Sequence, residues 1–233
     1  MSKARQNRAE PVSPSTITMD DLRGKFIVFD GGEGCGKSTQ AKMLLATLEQ
    51  ARLPAILVHD PGTTRVGKII RSILLDPANT DISMRCEMLL YMAARAQMMT
   101  EIILPALASA KVVLCDRFVS STLSYQLGGD GLTFDEIHAV GETAIHHRWP
   151  DLTIVLDMPV ARSFLRVKPK FTLFPDQPFS AEVKDRIEQR PTAYHEQVRK
   201  NYLQQASHAR HRYEIIDADR DADAIHQDVL AAV

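Results

Sequence analysis

The residues best equipped for chemistry lie in one octapeptide, Gly31-Gly32-Glu33-Gly34-Cys35-Gly36-Lys37-Ser38. It fits GxxxxGK[ST], the spacing of a phosphate-binding loop. Glycines let consecutive backbone N–H groups converge on a phosphate with no Cβ in the way. A helix starting near Lys37 adds the positive end of its dipole. Lys37 can bring a mobile cation to β- and γ-phosphates, and the Ser38 hydroxyl can hold Mg2+. Thr39, next in the helix, completes the candidate nucleotide-binding set that begins at Gly31. Cys35 sits where a helix N-terminus could lower its thiol pKa, although a small residue filling a small slot is the simpler reading. The loop alone specifies a nucleotide, since GTPases, ATPases and small-molecule kinases share it.

Five further segments carry a resemblance. Asp60-Pro61-Gly62-Thr63-Thr64 with Gly67 and Arg71 resembles the EPGGT-x2-G-x3-R stretch of the thymidylate kinase family, with Asp for Glu, Thr63 for the second Gly and His59 for a common Arg. Leu89-Leu90-Tyr91-Met92-Ala93-Ala94-Arg95-Ala96-Gln97 is similar to that family's LLFAAxRAQ helix. Tyr91 and Arg95, four apart, share a helix face, although periodicity alone would make Tyr91 core and Arg95 surface. Asp116-Arg117-Phe118, followed by Ser121, Thr122, Tyr125 and Gln126, resembles DR[YHF]…S[TN]xAYQ. Asp185-Arg186-Ile187-Glu188 looks like the DRxE element of the family's lid, and Val198 to Leu203 like its VRxxYL helix. The resemblance spans roughly residues 25–217. The link between Arg166 and Asp185 is longer than the family's usual one and carries several phenylalanines.

The resemblance implies transfer of the γ-phosphoryl group of ATP to dTMP, giving dTDP and ADP, in dTTP synthesis. The nucleophile is then a phosphate oxygen, already anionic, and catalysis is positioning and charge neutralisation. It implies catalytic roles for Lys37, Arg117 and Arg186, and a Mg2+ ion held by Ser38 and organised by Asp116. The acceptor would lie among Asp60, Arg71, Tyr91, Arg95, Arg117, Ser121, Thr122, Tyr125 and Gln126. There the aromatic of Tyr91 stacks on thymine, Arg95 meets its carbonyl edge, and Arg71 and Arg117 hold the acceptor phosphate. Glu33 holds the sugar or a metal-bound water. The P-loop position that carries an arginine in some family members is Gly34 here, so the lid supplies that cation, Arg186 before Arg190 or Lys184. Rival readings are a kinase for dUMP, GMP or CMP, a regulatory ATPase or GTPase, and a non-catalytic nucleotide-binding protein. No NKxD-type guanine motif supports the GTPase.

These residues need elements to position them, and hydrophobic patterning supplies those elements. Residues 25–30 and 112–116 are short apolar runs of the buried parallel-strand type, and 54–59, 152–157 and 213–217 read as further strands. Helical patterns alternate with them at 37–51, 66–75, 83–109 (interrupted near Pro105), 133–147, 160–167, 182–190, 194–209 and 221–233, with a Thr133–Glu136 capping box. Strands alternating with helices predict an α/β fold, a parallel five-stranded sheet with helices on both faces, of P-loop NTPase type given the phosphate-binding loop, and the resemblance implies a small lid. Ligands in such folds bind at the carboxyl ends of the strands, where the unusual residues fall. The expected layout is a flexible tail over residues 1–22 and a single kinase domain over 23–233, with the lid at about 166–190.

Composition narrows the partners. The chain has 233 residues and a net charge of −1, so no basic character points to nucleic acid or a membrane surface. Its three cysteines, Cys35, Cys86 and Cys115, have no metal-binding spacing and fit a reducing cytosol. No apolar run approaches the roughly 20 residues of a membrane span, and no apolar segment follows the basic N-terminus. A soluble cytoplasmic enzyme is expected. The methionine-rich stretch at 83–109 suggests burial against a second copy, a homodimer as the resemblance implies, or burial within its own domain.

Overall fold

The computed structural model describes residues 19–166, 185–208 and 211–233. Five parallel strands form one sheet in the order β2-β3-β1-β4-β5. They are β1 (Phe26–Gly31), β2 (Ala55–His59), β3 (Val112–Asp116), β4 (Leu152–Asp157) and β5 (Arg212–Asp217). The first five helices are α1 (Lys37–Gln50), α2 (Arg65–Leu75), α3 (Met84–Met98), α4 (Leu104–Ala108) and α5 (Val119–Tyr125). Then come α6 (Phe134–Ala144), α7 (Val160–Arg166), α8 (Thr192–His208) and α9 (Ala222–Ala232).

The central strand β1 is buried along its whole length, which is why Phe26 to Phe29 read as an apolar run. Its alternating side chains feed two cores. Ile27 and Phe29 pack with Leu44 and Leu48 of α1 and with Ile225 and Val229 of α9. Phe26 and Val28 face the other way, toward Met88 and Met92 of α3 and Ile137 of α6. Helices therefore cover both faces, and the α/β architecture expected from the alternation is the one observed.

Several boundaries differ from the sequence expectation, each for a local reason. The helical stretch at 83–109 is interrupted one turn before Pro105, by a π-helical turn over Met99–Ile103, and α4 then runs through the proline. Proline lacks an N–H and crowds the carbonyl four residues back, so widening the preceding turn accommodates it. The helix expected over 133–147 starts at its capping box but stops at Ala144, because His146 and His147 take left-handed conformations. Residues 185–190, expected as part of a helix, form turns in which Asp185 Oδ1 accepts from the backbone N–H of Ile187 and Glu188. The last residues of the expected tail make a 3-10 turn, Met19–Leu22, that buries Leu22. Residues 1–18 and most of the expected lid, 167–184, lie outside the described residues.

Candidate active site

β1 delivers the chain into the phosphate-binding loop, and the loop's geometry explains its glycines. Gly31 has φ +132°, and a Cβ there would stand 2.5 Å from the Leu156 carbonyl oxygen. Gly36, at φ +99°, is the residue on which α1 begins. The Lys37 ammonium folds over the loop and donates to the carbonyls of Gly31 (3.3 Å) and Gly32 (2.5 Å). Cys35 is buried and its thiol donates to the Gly32 carbonyl. Burial pushes that thiol up in pKa, against the opposing pull of Lys37, so the slot-filling reading of Cys35 describes it better than the activated one.

The Ser38 hydroxyl donates to the Asp116 carboxylate, joining the start of α1 to the end of β3. Arg117, the next residue, has φ +70°. That turn carries its guanidinium back under the loop, where it meets Glu33 Oε1 at 2.5 Å, Ser121 Oγ at 3.0 Å and the Gly31 carbonyl at 3.2 Å. It also lies over the Tyr125 ring. Beneath them, Asp30 is fully buried and accepts from Ser120 (2.5 Å), Ser121 (2.7 Å) and Tyr202 (2.5 Å). Such a carboxylate is tolerable only when hydrogen-bonded on all sides, and here it ties β1, α5 and α8 together.

At the other end, Arg95 is 1% exposed and holds Asp60 Oδ2 at 2.5 Å, the Phe118 carbonyl at 3.0 Å and Thr122 Oγ1 at 3.2 Å. Periodicity alone would have left it on the surface. Asp60 spends one carboxylate oxygen on Arg95, while Oδ1 is buried without a partner among the described residues. Arg71 donates to the Pro61 carbonyl at 2.9 Å. Thr63 accepts from the backbone N–H of His59 and donates to its carbonyl, so its hydroxyl closes the turn that follows β2.

A cleft of about 580 Å3 runs between these two groups, within the usual range for a small-ligand site. From the loop side Glu33, Gly34, Gly36, Lys37, Ser38 and Thr39 line it, with Asp116 and Arg117. From the other side come Asp60, Arg71, Tyr91, Arg95, Ser121, Thr122, Tyr125 and Gln126. The residues singled out from the sequence thus converge, with four outside the wall: Gly31, Gly32 and Cys35 are on the loop's other side, lining a smaller cavity, and Arg186 is turned away. A family model described as thymidylate kinase matches residues 29–229. A thymidylate kinase from Pelotomaculum thermopropionicum is 42% identical over 91% of this chain and 93% of its own. One from Halothermothrix orenii is also 42% identical, over 91% and 97%, and one from Pseudomonas putida is 38% identical over 90% and 95%. The chain belongs to the thymidylate kinase family.

Within this thymidylate kinase fold, Arg186 donates to the Glu87 carboxylate and to the Leu74 carbonyl at 2.9 Å. Arg190 reaches the same Glu87 oxygen at 2.7 Å. Sequence reading missed Glu87 and Asp30 altogether. The available signal was a lone acid inside an otherwise apolar helix or strand, which is expensive unless paired. That reading named the cleft-lining His59, Asp185 and Ile187 only within motifs, without a site role, and gave Leu75 and Arg166 none. Arg166 ends α7 and is anchored by the Ala218 carbonyl at 3.0 Å, a basic helix terminus that periodicity cannot distinguish from a solvated one.

Proposed function

We propose that the protein phosphorylates dTMP with ATP, giving dTDP and ADP. The observation that supports this most is one cleft with phosphate-handling groups at one end, Lys37, Ser38 and Asp116, and Tyr91, Arg95 and Arg71 at the other. The loop and the dipole of α1 suit the β- and γ-phosphates of ATP. Arg71 and Arg117 suit the acceptor phosphate, and Tyr91 offers a ring for the base to stack on. The acceptor oxygen is already anionic, so no side-chain base is needed and the work is alignment and neutralisation. Glu33 acts through Arg117, fixing the guanidinium that the acceptor phosphate would meet.

Ser38 and Asp116 supply a hydroxyl and a carboxylate oxygen side by side, hard ligands that suit Mg2+. Mg2+ usually keeps several waters and takes one or two protein ligands with substrate phosphates, so this pair is enough; the ion would neutralise the β- and γ-phosphates. Arg186 remains our proposed source of transition-state charge, and it reaches the phosphates only by leaving Glu87. Arg166 already lines the cleft. The same reading includes a homodimer: most methionines of α3 are buried in their own core, while Leu89 of α3 and Ile69 and Ile73 of α2 stay exposed for a second copy. It also includes a cytoplasmic location, and among the described residues no helix is long and apolar enough to cross a membrane.

ADP release with ATP–Mg2+ and each of dTMP, dUMP, dCMP, dGMP, UMP, CMP, GMP and AMP tests the reading. Strong turnover is expected with dTMP. Preference for another monophosphate would overturn the acceptor assignment, and turnover with none despite tight ATP binding would overturn the kinase.

A further inference from the structure

Glu87 sits in the first turn of α3, one helical turn before Tyr91, and is 0% exposed. A buried carboxylate persists only where donors satisfy it. Three do. Arg186 and Arg190 both donate to Oε2, and Gln126 Nε2 donates to Oε1 at 2.6 Å. The guanidiniums come from the segment that follows the expected lid insert, whereas Gln126 follows α5 and lines the cleft. Glu87 itself is absent from the cleft wall, so it acts on a ligand only through the groups it holds.

The chemistry of that contact fixes which way Gln126 faces. A side-chain amide has a donating and an accepting end, while a carboxylate only accepts. Gln126 must therefore turn its NH2 to Glu87, which leaves the carbonyl oxygen Oε1 as the end it offers to the cleft. An acceptor there matches the N3–H of thymine or uracil and opposes the N3 lone pair of cytosine. We infer that Glu87 is a specificity-determining positioning residue: by holding the amide of Gln126 it makes the base pocket select keto pyrimidines over cytosine. The inference rests on the proposed dTMP site, with the base stacked on Tyr91, and adds that its N3 edge meets Gln126, which lines the same cleft. It explains why a costly buried acid stands on α3, and it gives Arg190, which shares Oε2 with Arg186, the task of fixing the carboxylate that fixes the amide once Arg186 leaves.

The test compares kcat/KM for dTMP and dCMP in the full-length enzyme and in Glu87→Gln, Glu87→Asp and Gln126→Leu. A ratio taken on one preparation is independent of the folded fraction, so a purely structural loss leaves it unchanged. In Glu87→Gln the residue at 87 can donate as well as accept, the Gln126 amide is free to flip, and the dTMP:dCMP ratio falls by roughly tenfold or more, chiefly through KM. Glu87→Asp keeps the charge for the two guanidiniums but draws the carboxylate back by one methylene, so it folds more readily and shows a smaller fall in the same direction. A ratio that collapses in Gln126→Leu but not in either Glu87 variant would overturn the inference alone. A ratio unchanged in Gln126→Leu, or absent in the parent enzyme, would overturn the placement of the base and the inference with it.

Discussion

The two ends of the sheet solve opposite problems. At the carboxyl ends of the strands the protein buries charge: Asp30, Asp60, Glu87 and Arg95 are all at most 3% exposed, each paired across different elements. At the amino ends, rings stack instead. Phe134 and His138 of α6 continue into Trp149 before β4, then His211 and Tyr213 at the start of β5, with successive centroids 4.7 to 5.6 Å apart. Ion pairs there are mostly partly exposed, such as Lys25 with Asp151, and contribute little. Buried ion pairs are a weak route to stability, because desolvation offsets most of the attraction. That the costly solution appears, among the described residues, only at the carboxyl edge marks this edge as built to hold charged ligands, and the amino edge as built to hold the fold.

The largest expected effect separates catalysis from binding at the carboxyl edge. Lys37→Ala should lower kcat by about 10²–10³-fold, the loss expected when one preorganised donor to developing charge is removed. Steady-state kinetics in dTMP and ATP would show it, and a change confined to KM would mean that Lys37 only binds. The next effect measures the cost of buried charge directly. Arg95→Met leaves the Asp60 carboxylate buried without its cation and should cost about 3–5 kcal/mol in urea unfolding. Adding Asp60→Asn should recover most of that loss, since a buried pair replaced by neutral groups is often nearly neutral. A single-variant loss below about 1 kcal/mol would break the comparison, because the edge would then tolerate an unpaired charge.

The sequence made one side of this comparison far more legible than the other. The phosphate loop was readable because its chemistry lies in contiguous residues and its backbone demands glycine, as the Leu156 carbonyl against Gly31 shows. The central strand was readable because a strand covered on both faces is apolar along most of its length. Arg95 was placed by resemblance and not by pattern, since periodicity assigns it to the surface. Glu87 and Asp30 were invisible because their partners lie far along the chain: Gln126 is 39 positions from Glu87, and Tyr202 is 172 from Asp30. The turn at 185–190 defeated the helical pattern because Asp185 caps it locally. Thr63, a departure from the family's glycine, has a backbone role that no motif specifies.

The smallest effect sharpens the view of the amino edge. Burial, with His138 adding to it, pushes the His211 imidazole down to about 4 from its ordinary 6.5. The folded protein thus favours the neutral ring, which stacks at 5.2 Å on Trp149 and lies tilted against Tyr213 at 4.7 Å. The sign follows from the unfolded chain, where the ring takes up its proton near pH 6.5. Its contribution is complete above that pH and is lost as the pH falls from about 6.5 toward about 4. His195 and His226 are also lowered by burial and decline in the same direction, so the measurement must be a difference. His211→Phe keeps a ring in the stack but removes the titration. Its melting temperature should match the parent's at pH 8 and exceed it at pH 4 by roughly 2–4 °C, the equivalent of about 1 kcal/mol in a domain of this size. Water at the exposed edge of the ring keeps the effect that small. Parallel melting curves across this window would show that the stack contributes nothing through the neutral imidazole, and the amino edge would then owe its stability to the apolar rings alone.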